Sequence, residues 1–254
     1  MANLTENQCK DFRQVERLPI NTPLGWPHYS LRRYYIDEFY FRHVPSLEKN
    51  SLVLDLGGTK LLKRGQFDIE HYNLDVYYLN LLTDKRPDVQ GDAAYIPFNN
   101  MCFDAVICAE VLELVPDPVR VLHEAFRILN SGGILLVCIP FLYRIQGHPY
   151  DYGRYTNSWW EENLRKIGFT NITIEWQGFF ASVAVDMIRD IIEHKGGVPS
   201  RMGRKVVKQG GKWFLKWACP KALEWDERAA KRQDSFADWY CSYTGGFGIR
   251  AVKA

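Results

Sequence analysis

The stretch from Phe103 to Pro140 limits the fold most. FDAVICA (103–109) and GILLVCIP (133–140) are apolar runs of strand length, too short for ordinary helices. Between them, Asp117 is placed to cap a helix and Pro118 suits its first position. Val121, Leu122, Ala125, Phe126 and Leu129 then form one buried stripe at helical spacing, and Gly132-Gly133 is expected to end the helix. Strand, helix and apolar strand in that order imply parallel strands covered on both faces.

The surrounding chain repeats the pattern. SLVLDL (51–56) reads as a buried strand closed by the turn Gly57-Gly58. HYNLDV (71–76) and Val89–Ala93 read as the second and third strands, and NITIEWQ (171–177) alternates like a half-buried one. Helices are expected over 31–44, from a Ser158-x-x-Glu161 capping box to Gly168, and from Phe180 to His194, where Gly196-Gly197 stops the last. Residues 1–30, punctuated by Pro19, Pro23, Gly25 and Pro27, read as a loose arm, and a final strand is expected near 239–252. The division is an arm and packing helix (1–50), a core (51–178), a helical basic segment (179–238) and a terminal strand (239–254). This alternation makes the fold α/β, doubly wound and mainly parallel, with ligands at the carboxyl ends of the strands.

Composition removes several classes. With 46% hydrophobic and 24% charged residues over 254 positions, disorder and collagen-like repeats are excluded. No apolar run reaches the ~18 residues of a membrane span. The polar start MANLTENQCKDF has no apolar leader core, so a cytoplasmic location with reduced thiols is expected. The six cysteines include no C-x-x-C pair, so no metal site is expected. The net charge of +2 hides an asymmetry, because residues 201–232 hold ten Lys/Arg against three Asp/Glu. Within that segment, KWFLKWACPKALEW (212–225) sets Trp213, Phe214, Trp217 and Trp225 among lysines. It suits either a lid whose aromatics pack on the core or a peripheral contact with a membrane surface.

Acids and glycines mark the strand ends. Asp55, Gly57 and Gly58 close the first strand, where missing Cβ atoms let a ligand approach the backbone. Asp75 falls 20 residues after Asp55, at the expected end of the second strand, where a carboxylate can accept both hydroxyls of a ribose. Asp92, after the third, could accept from an exocyclic amine. HPYDYGRYT (148–156) packs an imidazole, a carboxylate, a guanidinium and three phenols into one loop. There His148 could take a proton from an attacking hydroxyl or amine. Asp151 and Arg154 could orient it and clamp an anion, or simply pair to order the loop. The P-loop spacing, the G-x-G-x-x-G fingerprint, H-E-x-x-H and G-x-S-x-G are all absent.

In order and spacing, VLDLGG, YNLDV, GDAAYIPF, FDAVICAEVLELVPDP, EAFRILNSGGILLVCIPF and HPYDYGRYT resemble class I S-adenosylmethionine-dependent methyltransferases, most of all the type 11 (ubiquinone/menaquinone-biosynthesis-like) group. The resemblance covers about residues 50–177. It implies a seven-stranded Rossmann-like methyltransferase sheet, with S-adenosyl-L-methionine as cofactor. It further implies that Asp55, Leu56, Gly57 and Gly58 flank the methionine part, Asp75 and Val76 the ribose, Asp92 and Ala93 the adenine, and Ala109 the reactive end. Three departures stand out, one being Leu112-Glu113-Leu114 where relatives often show L-E-H. Thr59 replaces the second glycine of the usual D-x-G-x-G, and only 14 residues (57–70) separate the first two expected strands. The implied reaction is methyl transfer to an O or N atom of a small-molecule acceptor, with a sugar, glycan or lipid-linked precursor as first choice and nucleic acid not expected. A catalytically silent relative that binds a cofactor or partner, and a nucleotide-binding oxidoreductase, are the alternatives.

Overall fold

The computed structural model describes residues 29–60, 65–146, 150–193 and 201–254, with side chains from 209 onward in the last stretch. The chain divides into two compact units. One comprises residues through Glu38 with Trp176–Gly245; the other comprises Phe39–Glu175 with Gly246–Ala254.

The second unit holds a seven-stranded sheet. Its strands are β1 (Leu52–Leu56), β2 (Asp75–Asn80), β3 (Val89–Gln90), β4 (Phe103–Ala109), β5 (Leu129–Pro140), β6 (Phe169–Trp176) and β7 (Gly246–Lys253), in the order β3-β2-β1-β4-β5-β7-β6. β1 to β5 pair in parallel, and β7 runs antiparallel to β5. Val53, Leu54, Val106, Leu136 and Cys138 are fully buried, as strands covered on both faces require. The expected mainly parallel α/β sheet is therefore present.

Helix α1 (Leu31–His43) begins in the first unit and ends in the second. Helix α2 (Pro118–Ile128) starts as the sequence predicts: Asp117 accepts from the Arg120 amide at 3.0 Å, with Pro118 behind it. Its end differs. The helix stops at Ile128 without glycine, because the Lys253 ammonium donates to the carbonyls of Phe126 and Leu129, both at 2.7 Å. Gly132-Gly133 instead lie inside β5, where the pairing with β4 shifts register between Phe103 and Ala105. Helix α3 (Asn157–Ile167) is capped by Thr156 rather than Ser158, and Glu161 pairs with Arg165 at 2.7 Å instead of closing a capping box. A single short 3-10 helix, Ile69–His71, occurs between β1 and β2 among the described residues.

The helical unit contains the start of α1 with α4 (Phe180–Glu193), α5 (Arg201–Ala230) and α6 (Ser235–Cys241). Residues 239–241, assigned to the terminal strand by the sequence, belong to α6, and β7 begins at Gly246. Two buried carboxylates organise this unit. Asp186 accepts from the first amides of α1, Leu31 at 2.9 Å and Arg32 at 2.7 Å, which satisfies donors that a helix start leaves open. Asp226 accepts from Tyr240 Oη, the Phe179 amide and Tyr35 Oη, at 2.8, 2.8 and 3.1 Å.

In the sheet unit, Arg42 and His43 at the end of α1 both reach Glu175 on β6, at 2.5 and 2.7 Å. Burial opposes ionisation of that carboxyl, yet the hydrogen bonds from His43 and Arg42 outweigh it and hold the group below its ordinary 4.5. The folded state thus binds the proton more weakly than the unfolded chain. The contribution is full above about pH 4.5 and is lost as pH falls through the lower folded value. Glu175→Gln should cost about 1.5–3 kcal/mol near neutrality, the range for charge-assisted hydrogen bonds, and should flatten the acid limb of stability. Thermal unfolding from pH 7 to pH 3 checks both, and an unchanged acid limb would rule the triad out as its source.

Candidate active site

The site forms where β1, β4 and β5 end. Gly57 follows β1 with φ +78°, and its amide donates to the Leu79 carbonyl at 2.8 Å. A Cβ at Gly57 would lie 2.4 Å from Val111 Cγ2, and one at Gly58 only 2.2 Å from Asp55 Oδ2. Glycine at 58 therefore lets the Asp55 carboxylate fold over the turn at the strand tip. Gly57, not Thr59, takes the left-handed conformation. Thr59 Oγ1 donates to the Lys85 carbonyl at 3.1 Å and the Lys60 ammonium pairs with Asp88, so both are drawn toward residues 85–88. Against the opposing effect of burial, Lys60 and the Tyr78 amide hold the Asp88 carboxyl below its usual value.

β4 ends at Ala109, and the next residue, Glu110, has φ +56° while its amide donates to the Cys138 carbonyl at 2.8 Å. A non-glycine residue held there stores strain of a kind that collects at functional sites. Tyr40 of α1 is buried, and its hydroxyl lacks an oxygen or nitrogen partner. Burial first, then Cys138, Asp55 and Cys108 nearby and a hydrogen bond with the Cys138 thiol, push its ionisation well above the ordinary range, so it stays neutral. Burial and the neighbouring Glu113, Asp55 and Cys138 likewise keep the Cys108 thiol protonated.

The loop after β5 lies against the β4 tip, where the Tyr152 amide donates to the Glu113 carbonyl at 2.7 Å. Arg154 donates to both oxygens of Asp151 at 2.5 and 2.7 Å, and Asp151 also accepts from the Gln146 amide at 3.0 Å. This pair orders the loop. Hydrogen bonding to Asp151 holds the Arg154 guanidinium above its usual value, against burial, with Glu113 and Glu110 adding smaller contributions. His148 lies outside the described residues.

One placement is corrected. Asp75 opens β2, opposite Leu52, and Val76 sits opposite Val53, so both are at the amino end of the sheet. The four further residues of β2 carry the strand tip about 13 Å away at the usual rise per residue. Asn80 occupies that tip. Its Nδ2 donates to the carbonyls of Gly57 and Gly58 at 2.8 and 3.0 Å, and its Oδ1 accepts from the Leu82 amide at 3.0 Å. Asp92 does follow the third strand, and its Oδ1 accepts from the Ala94 amide at 2.8 Å. Sequence reasoning missed Asn80 and Tyr40. The first carries no acid, and the second reaches the strand tips only through tertiary packing. Among the described residues no group of three metal-ligating side chains occurs.

Comparison with known proteins accords with this geometry. Residues 58–137 match a family model described as a methyltransferase domain. Over that stretch, less than half of its length, the chain is similar to methyltransferase domains. A ubiquinone/menaquinone biosynthesis C-methyltransferase of Bartonella quintana is 33% identical over 99 residues, 39% of this chain and 32% of that protein. The matches span 15% to 32% of the length of the first curated relatives. Among solved structures, the Haloferax volcanii complex of the Trm112 methyltransferase activator with a methyltransferase aligns with a TM-score of 0.52 at 17% identity, over 87% of this chain and 90% of that one. Haemonchus contortus phosphoethanolamine N-methyltransferase 2, in complex with S-adenosyl-L-methionine, aligns with a TM-score of 0.52 at 17% identity, over 87% and 52%. At that identity the likeness is one of fold.

The resemblance implies S-adenosylmethionine as methyl donor, and the glycine turn at the strand tips leaves space for a ligand. The glycine turn admits a ligand against backbone, where a side chain would fill the space. Asn80→Ala should release the Gly57 and Gly58 carbonyls and weaken S-adenosylhomocysteine binding by about 1–3 kcal/mol, whereas Asp75→Ala should leave it unchanged. Titration calorimetry decides between them, and a loss confined to Asp75→Ala would return the ribose contact to the start of β2.

Proposed function

We propose that this protein transfers the methyl group of S-adenosylmethionine to a nucleophilic atom of a small-molecule acceptor. The observation that carries the reading is the convergence of Asp55, the Gly57-Gly58 turn, Ala109 and the buried Tyr40 hydroxyl at the carboxyl ends of β1 and β4. Bound there, the donor supplies a methyl group made electrophilic by a sulfonium.

The chain's residues then have distinct tasks. Asp55, Glu110 and Glu113 give this end of the sheet negative potential, which suits a cationic sulfonium. Asn80 fixes the glycine turn, and Asp92, with one oxygen in its own turn, has the other for an adenine amine. Arg154 and Asp151 are positioning residues that hold the loop after β5 as an acceptor wall. His148, on the same loop, accepts the proton that an oxygen or nitrogen nucleophile releases as it attacks in line. In the acceptor itself we favour a hydroxyl or amine of a saccharide or lipid-linked precursor, because loop 148–156 offers phenols, an imidazole and a guanidinium that hydrogen-bond polar groups. A carbon acceptor, as the name of the Bartonella quintana relative states for that protein, would need a stabilised carbanion and would make the proton acceptor equally necessary.

The test has two steps. Calorimetry should show S-adenosylmethionine binding that Gly58→Ala abolishes, since the new Cβ displaces the Asp55 carboxylate. A labelled-methyl screen over saccharide, lipid-linked and quinol acceptors should then show turnover that His148→Ala lowers about 100-fold or more while sparing donor binding. Binding without turnover on any acceptor would favour a silent cofactor-binding relative. No binding at all, with affinity for a nicotinamide cofactor instead, would overturn the reading.

A further inference from the structure

The helical unit exposes apolar surface that its own core does not use. Phe180, Ala184 and Ile188 of α4, Trp217 and Trp225 of α5, and Phe236 of α6 line an apolar groove of about 560 Å³. Trp217 is 52% exposed, Trp225 50% and Phe236 49%. Trp239 extends this surface, with its ring 5.2 Å from Phe180 and 5.9 Å from Phe236. Of the aromatics at 212–225, Phe214 packs against the unit's core, but the indoles of Trp213, Trp217 and Trp225 face water. A lid closed on a core would bury them.

The charges around the groove have one sign in excess. Lys221, Arg228 and Arg232 border it. Lys221 and Arg228 share a single partner, Glu224, and Arg232 pairs with Asp234, so three cations face two carboxylates. Upstream, residues 201–216 carry six Lys/Arg and no acid. A second copy of the chain would bring the same positive charge to the same face, so self-association is disfavoured electrostatically. Indoles that offer a ring to hydrocarbon and an N–H to water, flanked by cations beside phosphates, match the headgroup layer of a bilayer.

We propose that the groove face of α4, α5 and α6 docks on the surface of an anionic lipid bilayer, with its aromatics at headgroup depth and the α5 cations against phosphates. Nothing in this requires the helices to cross the membrane, and among the described residues no helix is long and apolar enough to do so.

The experiment is sedimentation of the full chain with sucrose-loaded vesicles of phosphatidylcholine alone or mixed with phosphatidylglycerol, read together with tryptophan emission. The protein should pellet with the anionic vesicles, show a blue shift, and be released by high salt as screening shortens the reach of the charges. Trp217→Ser with Trp225→Ser should remove the blue shift and lower partitioning about tenfold or more. Lys212→Glu with Lys216→Glu, exposed residues outside the groove, should lower partitioning by a similar factor while S-adenosylhomocysteine binding is kept. Circular dichroism verifies that both variants fold. Three results would overturn the proposal: no pelleting with anionic vesicles, equal pelleting of the charge variant, or a dimer in sedimentation equilibrium that the Trp substitutions break while vesicle binding is absent. Capture of an oligonucleotide without vesicle binding would overturn it as well.

Discussion

The parallel register of β1 between β2 and β4 is the constraint on which the rest depends. Leu56 lies beside Leu79 on one side and Cys108 on the other, so three chains must leave the sheet together at one edge. That forces a tight turn at Gly57-Gly58, because β1 must exit past Val111 and beneath its own Asp55 carboxylate. It also forces Glu110 into a left-handed conformation so that its amide can meet Cys138. The buried Tyr40 hydroxyl completes this edge, with the Cys138 thiol as its hydrogen-bonding neighbour. Backbone strain at these strand tips is of the kind that collects at functional sites.

Much of this was legible in the residues, for reasons that differ from element to element. β4 was read to the residue because six apolar side chains, interrupted only by Asp104, leave no other solution. The start of α2 was legible because Asp117 and Pro118 act locally. Its end was not, since the group that satisfies it, Lys253, is 127 residues beyond Phe126 in the chain. β2 was misread for a similar reason. DVYYLN lies near the sheet edge with Tyr77 half exposed, so it lacks the apolar run that marks β4. HYNLDV, with alternating character, looked more strand-like. Displacing the strand by a few residues moved Asp75 from the tip of the sheet to its base, and with it the inferred sugar contact.

The helical unit shows the same limit in another form. Its periodic apolar positions on α4 were plain, but Asp186 and Asp226 were not recognisable as buried. Asp186 gains Leu31 and Arg32 from far away in sequence beside the local Arg189, and Asp226 gains Tyr35, Phe179 and Tyr240. A carboxylate with three good donors tolerates burial that an isolated one would not. These networks fix which helix faces turn inward. They thereby leave Trp217, Trp225 and Phe236 outside, although composition alone would assign such side chains to a core.

The exchange of a carboxylate for Asn80 at the β2 tip changes the electrostatics of the proposed donor site, not just its hydrogen bonding. An acid there would add a negative charge beside the Gly57 and Gly58 carbonyls, whose oxygens would repel it unless a ligand hydroxyl intervened. The amide instead donates to both carbonyls, so the turn is held before any ligand arrives. Preorganisation lowers the ordering cost of binding, while loss of the acid removes one acceptor for a ribose diol. The balance falls on Asp55, Glu110 and Glu113, whose charges Arg154 offsets only in part because it is already engaged by Asp151. The proposed donor site, built this way, would discriminate chiefly through positive charge on its ligand. That favours a sulfonium donor over its neutral thioether product, and so favours product release after transfer.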